Sequence, residues 1–145
     1  MCAPFTILLA EDNPGDVFLV RRALEKHDID CKVIVVEDGQ AALHFMEQAD
    51  ASDELACPDL VLLDLNLPRA TGSRVLTRIR QSPRCVGIPI IIITSSDSPL
   101  DRESAARLGA TGYFQKPGDL AGFMQLGRIV REALEKNAAE KLPIR

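Results

Sequence analysis

The sequence predicts a doubly wound α/β fold, a five-stranded parallel sheet held between two layers of helices. Three observations lead there. Short apolar runs alternate with amphipathic stretches along the chain, the pattern of successive β/α units. The runs Ile7-Leu8-Leu9-Ala10, Leu60-Val61-Leu62-Leu63 and Ile90-Ile91-Ile92-Ile93 are apolar at every position, as expected for strands covered on both faces. The runs also end in chemistry: Glu11-Asp12, Asp64 and Thr94, joined by Lys116-Pro117 after the last one.

Residues 5–10 read as the first strand. The first helix starts near Pro14 or Gly15 and lines up Val17, Val20, Ala23 and Leu24 on one face, leaving Arg21, Arg22, Glu25 and Lys26 to solvent. A second strand covers 32–36, and after the turn at Asp38-Gly39 a short helix begins over 40–47. The polar, small-residue stretch 49–58 reads as a loop. The third strand is 60–64 and the fourth 90–93, separated by a helix over 72–81 that turns Val75, Leu76 and Ile79 inward. A fourth helix over 100–108 stops at Gly109, a plausible C-cap. The fifth strand is 111–115, and the last helix runs from the N-cap Asp119 to Leu134 and beyond. One domain is expected over 1–145, with its core over 5–134. The tail at 138–145 is too short for a second module, and no effector domain is expected.

Composition fits this reading. Of 145 residues, 46% are hydrophobic and 26% charged, as in ordinary globular proteins. A net charge of −4, with no basic stripe, argues against direct nucleic-acid binding. No apolar run approaches membrane-spanning length, and no signal peptide is seen. Cys2, Cys31, Cys57 and Cys85 include no closely spaced pair, so free thiols in a reducing cytoplasm are the expectation.

Right-handed crossovers put all strands parallel, with ligands beyond their carboxyl ends. That edge collects Glu11, Asp12, Asp64, Thr94 and Lys116. Three carboxylates crowded together repel unless a divalent cation offsets them. Mg²⁺ suits such hard oxygen donors and keeps several waters. Asp64 is then a candidate nucleophile, able to form an aspartyl phosphate. The Thr94 hydroxyl and the Lys116 ammonium are placed to meet phosphoryl oxygens, and backbone amides after Asp64 add donors. Taken singly these residues are ordinary turn formers, caps and punctuation, and Pro68 and Gly72 read as plain loop residues. The conjunction at four strand ends carries the weight.

With these residues in place, the chain resembles the receiver domains of two-component response regulators. The resemblance rests on Leu8-Leu9-Ala10-Glu11-Asp12, Leu62-Leu63-Asp64-Leu65-Asn66-Leu67-Pro68, Ile93-Thr94-Ser95 and Gly112-Tyr113-Phe114-Gln115-Lys116-Pro117, and spans roughly 5–134. It implies a flavodoxin-like sheet of order 2-1-3-4-5. It implies that Asp64 accepts phosphate from a phosphohistidine on a sensor histidine kinase. Asp12 would bind Mg²⁺ directly and Glu11 through water, with Asp64 and the Asn66 backbone carbonyl as further ligands. Thr94 and Tyr113 would form the switch, Lys116 would hold the phosphate, and the Lys116–Pro117 bond would be cis. The output face would be the fourth helix, fifth strand and last helix.

The last helix carries Phe123, Met124, Leu126, Ile129, Val130 and Leu134, more apolar residues than one buried stripe needs, which points to a homodimer or partner interface. The opening Glu11-Asp12-Asn13-Pro14-Gly15-Asp16 and the long loop before the third strand resemble the receivers paired with bacterial phytochromes. The resemblance implies a phosphoacceptor, not an enzyme acting on outside substrates; a phosphorelay intermediate or phosphate sink is the alternative. An aspartate-nucleophile phosphatase would need an acid two residues after Asp64, where Asn66 stands. Asn66 and Ser96 are poorly suited to rapid general-base hydrolysis, which predicts a moderate phosphoryl lifetime.

Overall fold

The computed structural model describes residues 4–52 and 56–140. Cys2 and the end of the tail, with Pro143, lie outside them. The described elements are β1 (Phe5–Ala10), α1 (Pro14–Lys26), β2 (Cys31–Val36), α2 (Gly39–Ala51), β3 (Leu60–Leu63), α3 (Gly72–Arg80), β4 (Ile90–Thr94), α4 (Pro99–Arg107), β5 (Gly112–Gln115), α5 (Leu120–Met124) and α6 (Leu126–Glu140).

The strands form one parallel sheet in the order β2-β1-β3-β4-β5. Alternation along the strands divides the core in two. Leu8, Ala10, Val61, Leu63, Ile90 and Ile92 face α2 and α3. Ile7, Leu9, Leu62, Ile91 and Ile93 face α1, α5 and α6. Burial on both sides explains why these runs contain no polar residue.

Helix starts are capped, that at Asp119 as expected. The side chains of Asn13, Asp38, Thr71, Ser98 and Asp119 each accept a backbone N–H from the first turn that follows. α4 is the least attached helix: it buries only Ala105, and Leu100 is 68% exposed. Among the described residues, no helix is long and apolar enough to cross a membrane.

Four expectations need correction. The stretch from 49 onward is not all loop, because α2 continues to Ala51. Its end is held by α3: the Asp50 carboxylate accepts from Arg78 at 2.7 Å and from the Ser82 hydroxyl at 2.5 Å, and Ala49 is buried.

The last helix is two helices broken at Gln125. The His27 imidazole Nε2–H donates to the Met124 carbonyl at 3.1 Å, drawing that oxygen toward α1. Just beyond, Gly127 lies so close to α1 that a Cβ there would overlap the Ala23 carbonyl and the His27 ring. The apolar residues of this segment are core, not surplus. Phe123, Met124, Leu126, Val130 and Leu134 are buried and Ile129 packs against them.

Cys57 and Cys85 are not free thiols. They form a disulfide with Cα atoms 5.6 Å apart, while Cys31 is free. The bridge joins the segment entering β3 to the segment after α3, which sequence spacing could not disclose. Arg80 fastens the same edge of the sheet, its guanidinium donating to the carbonyls of Val86, Ile88 and Gly109 at 2.7, 2.6 and 2.9 Å.

Candidate functional site

The sheet ladder itself places the site residues. One position past each strand, the Glu11 amide donates to Val36, that of Asp64 to Ala10, and that of Lys116 to Thr94, at 3.0, 3.0 and 2.7 Å. Three backbones are thereby fixed at one edge before any side chain makes contact. The expected carboxyl-end cluster forms: carboxylate oxygens of Glu11, Asp12 and Asp64 lie within 4.8 Å of one another. Glu11 and Asp64 are buried, whereas Asp12 is exposed.

Lys116 bonds into this cluster. Its ammonium donates to Glu11 at 2.5 Å, to Asp16 at 2.7 Å and to Asp64 at 3.1 Å. Burial pulls the Lys116 ammonium down, but hydrogen bonds to Asp16 and Glu11 and the charges of Asp64 and Glu11 outweigh it, so the net shift is upward. Glu11 is pushed up from 4.5 to about 7, by burial first and by the Asp64 charge as well; its hydrogen bond to Lys116 opposes this. One ammonium thus stands among four carboxylates, and the donor set is hard oxygen of the kind that takes Mg²⁺ or Mn²⁺.

Around Asp64 the backbone closes in. The Asn66 N–H donates to Asp64 Oδ1 at 3.0 Å, supplying an expected amide donor. Gly72 is no plain loop residue: a Cβ there would come within 2.6 Å of Leu65 Cα and overlap the Asp64 carbonyl, while its own N–H donates to Leu65 at 3.0 Å. Only a residue without a side chain lets α3 start this close behind the acid.

Thr94 is fully buried, and its hydroxyl oxygen accepts from the Ser96 N–H at 3.3 Å. The Tyr113 hydroxyl donates to the Ser96 carbonyl at 3.2 Å, and the Arg102 guanidinium covers its ring at 4.4 Å. Thr94 and Tyr113 therefore meet on one residue. The expected cis bond is absent: Lys116–Pro117 is trans, the isomer that ordinary X–Pro bonds favour by about 0.5–1 kcal/mol. Sequence reasoning missed Asp16 and Arg102. Asp16 stood in the quoted opening Glu11-Asp12-Asn13-Pro14-Gly15-Asp16 and in the first turn of α1, but nothing there gave it a role at the site.

Acids, an amide donor, a buried hydroxyl and an ammonium gather at the carboxyl ends of a 2-1-3-4-5 sheet, and residues 7–126 match the response regulator receiver domain family, to which the chain belongs. Within it, the chain is 35% identical to the response regulator Rcp1 of Synechocystis over 123 residues, 85% of this chain and 84% of that one. The crystal structure of the phosphorylated cyanobacterial phytochrome response regulator RcpA superposes with a TM-score of 0.80 at 32% identity, covering 90% of this chain and 93% of RcpA. The Mn²⁺-bound form of Rcp1 gives 0.78 at 32% identity, covering 98% and 99%. The chain is thus a receiver domain of two-component signalling, related to phytochrome response regulators.

Proposed function

We propose that the chain receives a phosphoryl group on Asp64 from the phosphohistidine of a sensor histidine kinase. An Asp64 oxygen forms the new P–O bond as the P–N bond breaks, and the imidazole leaves with the electron pair. The observation that carries this reading is the placement of Asp64, buried beside two further acids and bonded to both the Lys116 ammonium and the Asn66 amide.

Glu11, Asp12 and Asp64, with the Asn66 backbone carbonyl, would hold Mg²⁺. When bound, Mg²⁺ neutralises the acids and the transferring oxygens. The chain's own residues do the rest. Lys116 moves its Asp64 hydrogen bond to a phosphoryl oxygen. Thr94 turns its hydroxyl to another, which frees the Ser96 N–H and disturbs the carbonyl that holds Tyr113. Charge-assisted bonds to the new group bias this coupled pair toward a second arrangement.

The reading is of one receiver domain acting as a switch without turnover of outside substrates. Similarity to Rcp1 and RcpA supports a kinase of the phytochrome type. The groove between α1 and α5 exposes Phe18 and Leu120 next to Arg22, Glu25 and Lys26 and supports kinase docking there. Output through α4, β5 and the helices that follow, to a partner or a second copy, is supported by the exposed Leu100 on a thinly attached α4. Phosphotransfer profiling against the histidine kinases of the source organism tests the proposal. One kinase should label the wild type and not Asp64→Asn, and labelling that survives Asp64→Asn would overturn the acceptor assignment.

A further inference from the structure

Lys116 has three N–H donors, and all three are engaged. Two go to Glu11 and Asp64, members of the three-acid cluster. The third goes to Asp16, which lies outside that cluster. If Asp64 is phosphorylated and Glu11 turns to a cation, both of these partners change what they offer the ammonium. Asp16 does not change. It is fixed by its own backbone, whose N–H donates to Asn13 at 3.1 Å in the cap of α1, and its carboxylate is 23% exposed against 10% for Lys116. The ion pair is thus partly buried and anchored to a helix end.

We propose that Asp16 is a positioning residue, the standing counter-ion that keeps the Lys116 ammonium aimed at the phosphoryl site while its other two partners are exchanged. This deepens the phosphoacceptor reading and rests on it. Without Asp16, the ammonium would turn wholly onto Glu11 and Asp64, where it competes with a divalent cation and leaves the phosphoryl position.

The test is the affinity of fluoroberyllate, a phosphoryl mimic, measured with Mg²⁺ by calorimetry, together with the affinity of Mg²⁺ alone. Asp16→Asn keeps the backbone bond to Asn13 and loses the ion pair; Asp16→Ser is a second way to lose it, and thermal melts check that each folds. Fluoroberyllate should bind about tenfold more weakly to both, the scale of one hydrogen bond to a charged group, and Mg²⁺ should also weaken. Asp16→Glu should restore most of the affinity. In a Lys116→Gln background, Asp16→Asn should have no further effect. Wild-type affinity in Asp16→Asn, or an equal loss with and without Lys116, overturns the assignment. A wild type that binds no fluoroberyllate removes the phosphoacceptor reading itself, and this one with it.

Discussion

Reducing the Cys57–Cys85 bridge offers the cleanest test of how this fold is held. The bridge spans a sequence separation of 28 and closes a loop containing β3, Asp64 and α3. For a loop of that length the chain-entropy relation gives about −12 cal/mol/K in the unfolded state, or about 3.6 kcal/mol at 25 °C. Burial changes little on reduction, since Cys85 stays in the core with Cys57 against it, so the loss should be mostly that of the cross-link. Unfolding entropy of about 2.1 cal/mol/K per residue, over the 145 residues of the chain, makes this a fall in Tm of about 12 °C. The assay is thermal unfolding by circular dichroism, with and without reductant, for the wild type and for Cys57→Ser. Alkylation under denaturing conditions should add two labels after reduction. Wild type in reductant should melt like Cys57→Ser, which should itself ignore reductant. A bridge proved by alkylation whose loss moves Tm by under about 3 °C would refute the loop-closure reasoning.

Gly72→Ala should lower stability by about 1–3 kcal/mol, the scale of overpacking, and slow phosphorylation of Asp64, because the added Cβ meets the backbone of Asp64 and Leu65; urea melts and phosphotransfer rates read the two effects. With Glu11 raised to about 7, Mg²⁺ binding must displace a proton there, so affinity should rise about tenfold between pH 6 and pH 8. The same shift means that the folded state holds this proton more tightly than the unfolded chain, so stability from Glu11 is fullest below pH 4.5 and lost as pH rises through about 7. Glu11→Gln should flatten both profiles, as calorimetry and melts at several pH values can check. With Asn66 two residues beyond Asp64 and Ser96 two beyond Thr94, phosphoryl decay at neutral pH with Mg²⁺ should be slower than seconds, and complete decay within seconds would defeat that expectation. Sedimentation with a phosphoryl mimic should reveal self-association through α4 and its neighbours, whereas a monomer in both states would leave Leu100 to a different partner.

Much of this architecture was legible because its strands are buried on both faces. Ile90 to Ile93 or Leu60 to Leu63 have no polar alternative to a central strand, and residues at the ends of such strands share an edge. Glu11, Asp12, Asp64, Thr94 and Lys116 could therefore be placed together from their order alone. What escaped depends on pairs far apart in the chain. His27 reaches Met124 across 97 residues and breaks a helix whose own periodicity is continuous. Asp50 prolongs α2 through partners 28 and 32 residues away. Asp16 meets Lys116 across 100 residues, and no local pattern marks the pair. The tight fit at Gly72 was hidden for another reason: glycine after a strand reads as punctuation whether or not backbone crowds against it.

The loose seating of α4 bears on how such a protein can change over generations. Because that helix commits a single side chain, Ala105, to the interior, nearly every other position on it can be substituted with little effect on folding. The acids, the lysine and the sheet enjoy no such latitude. A lineage could therefore inherit the chemical half of the device unaltered while its exposed helix drifts toward new recipients, and duplicated copies could part company in their listeners well before they differ in what they receive.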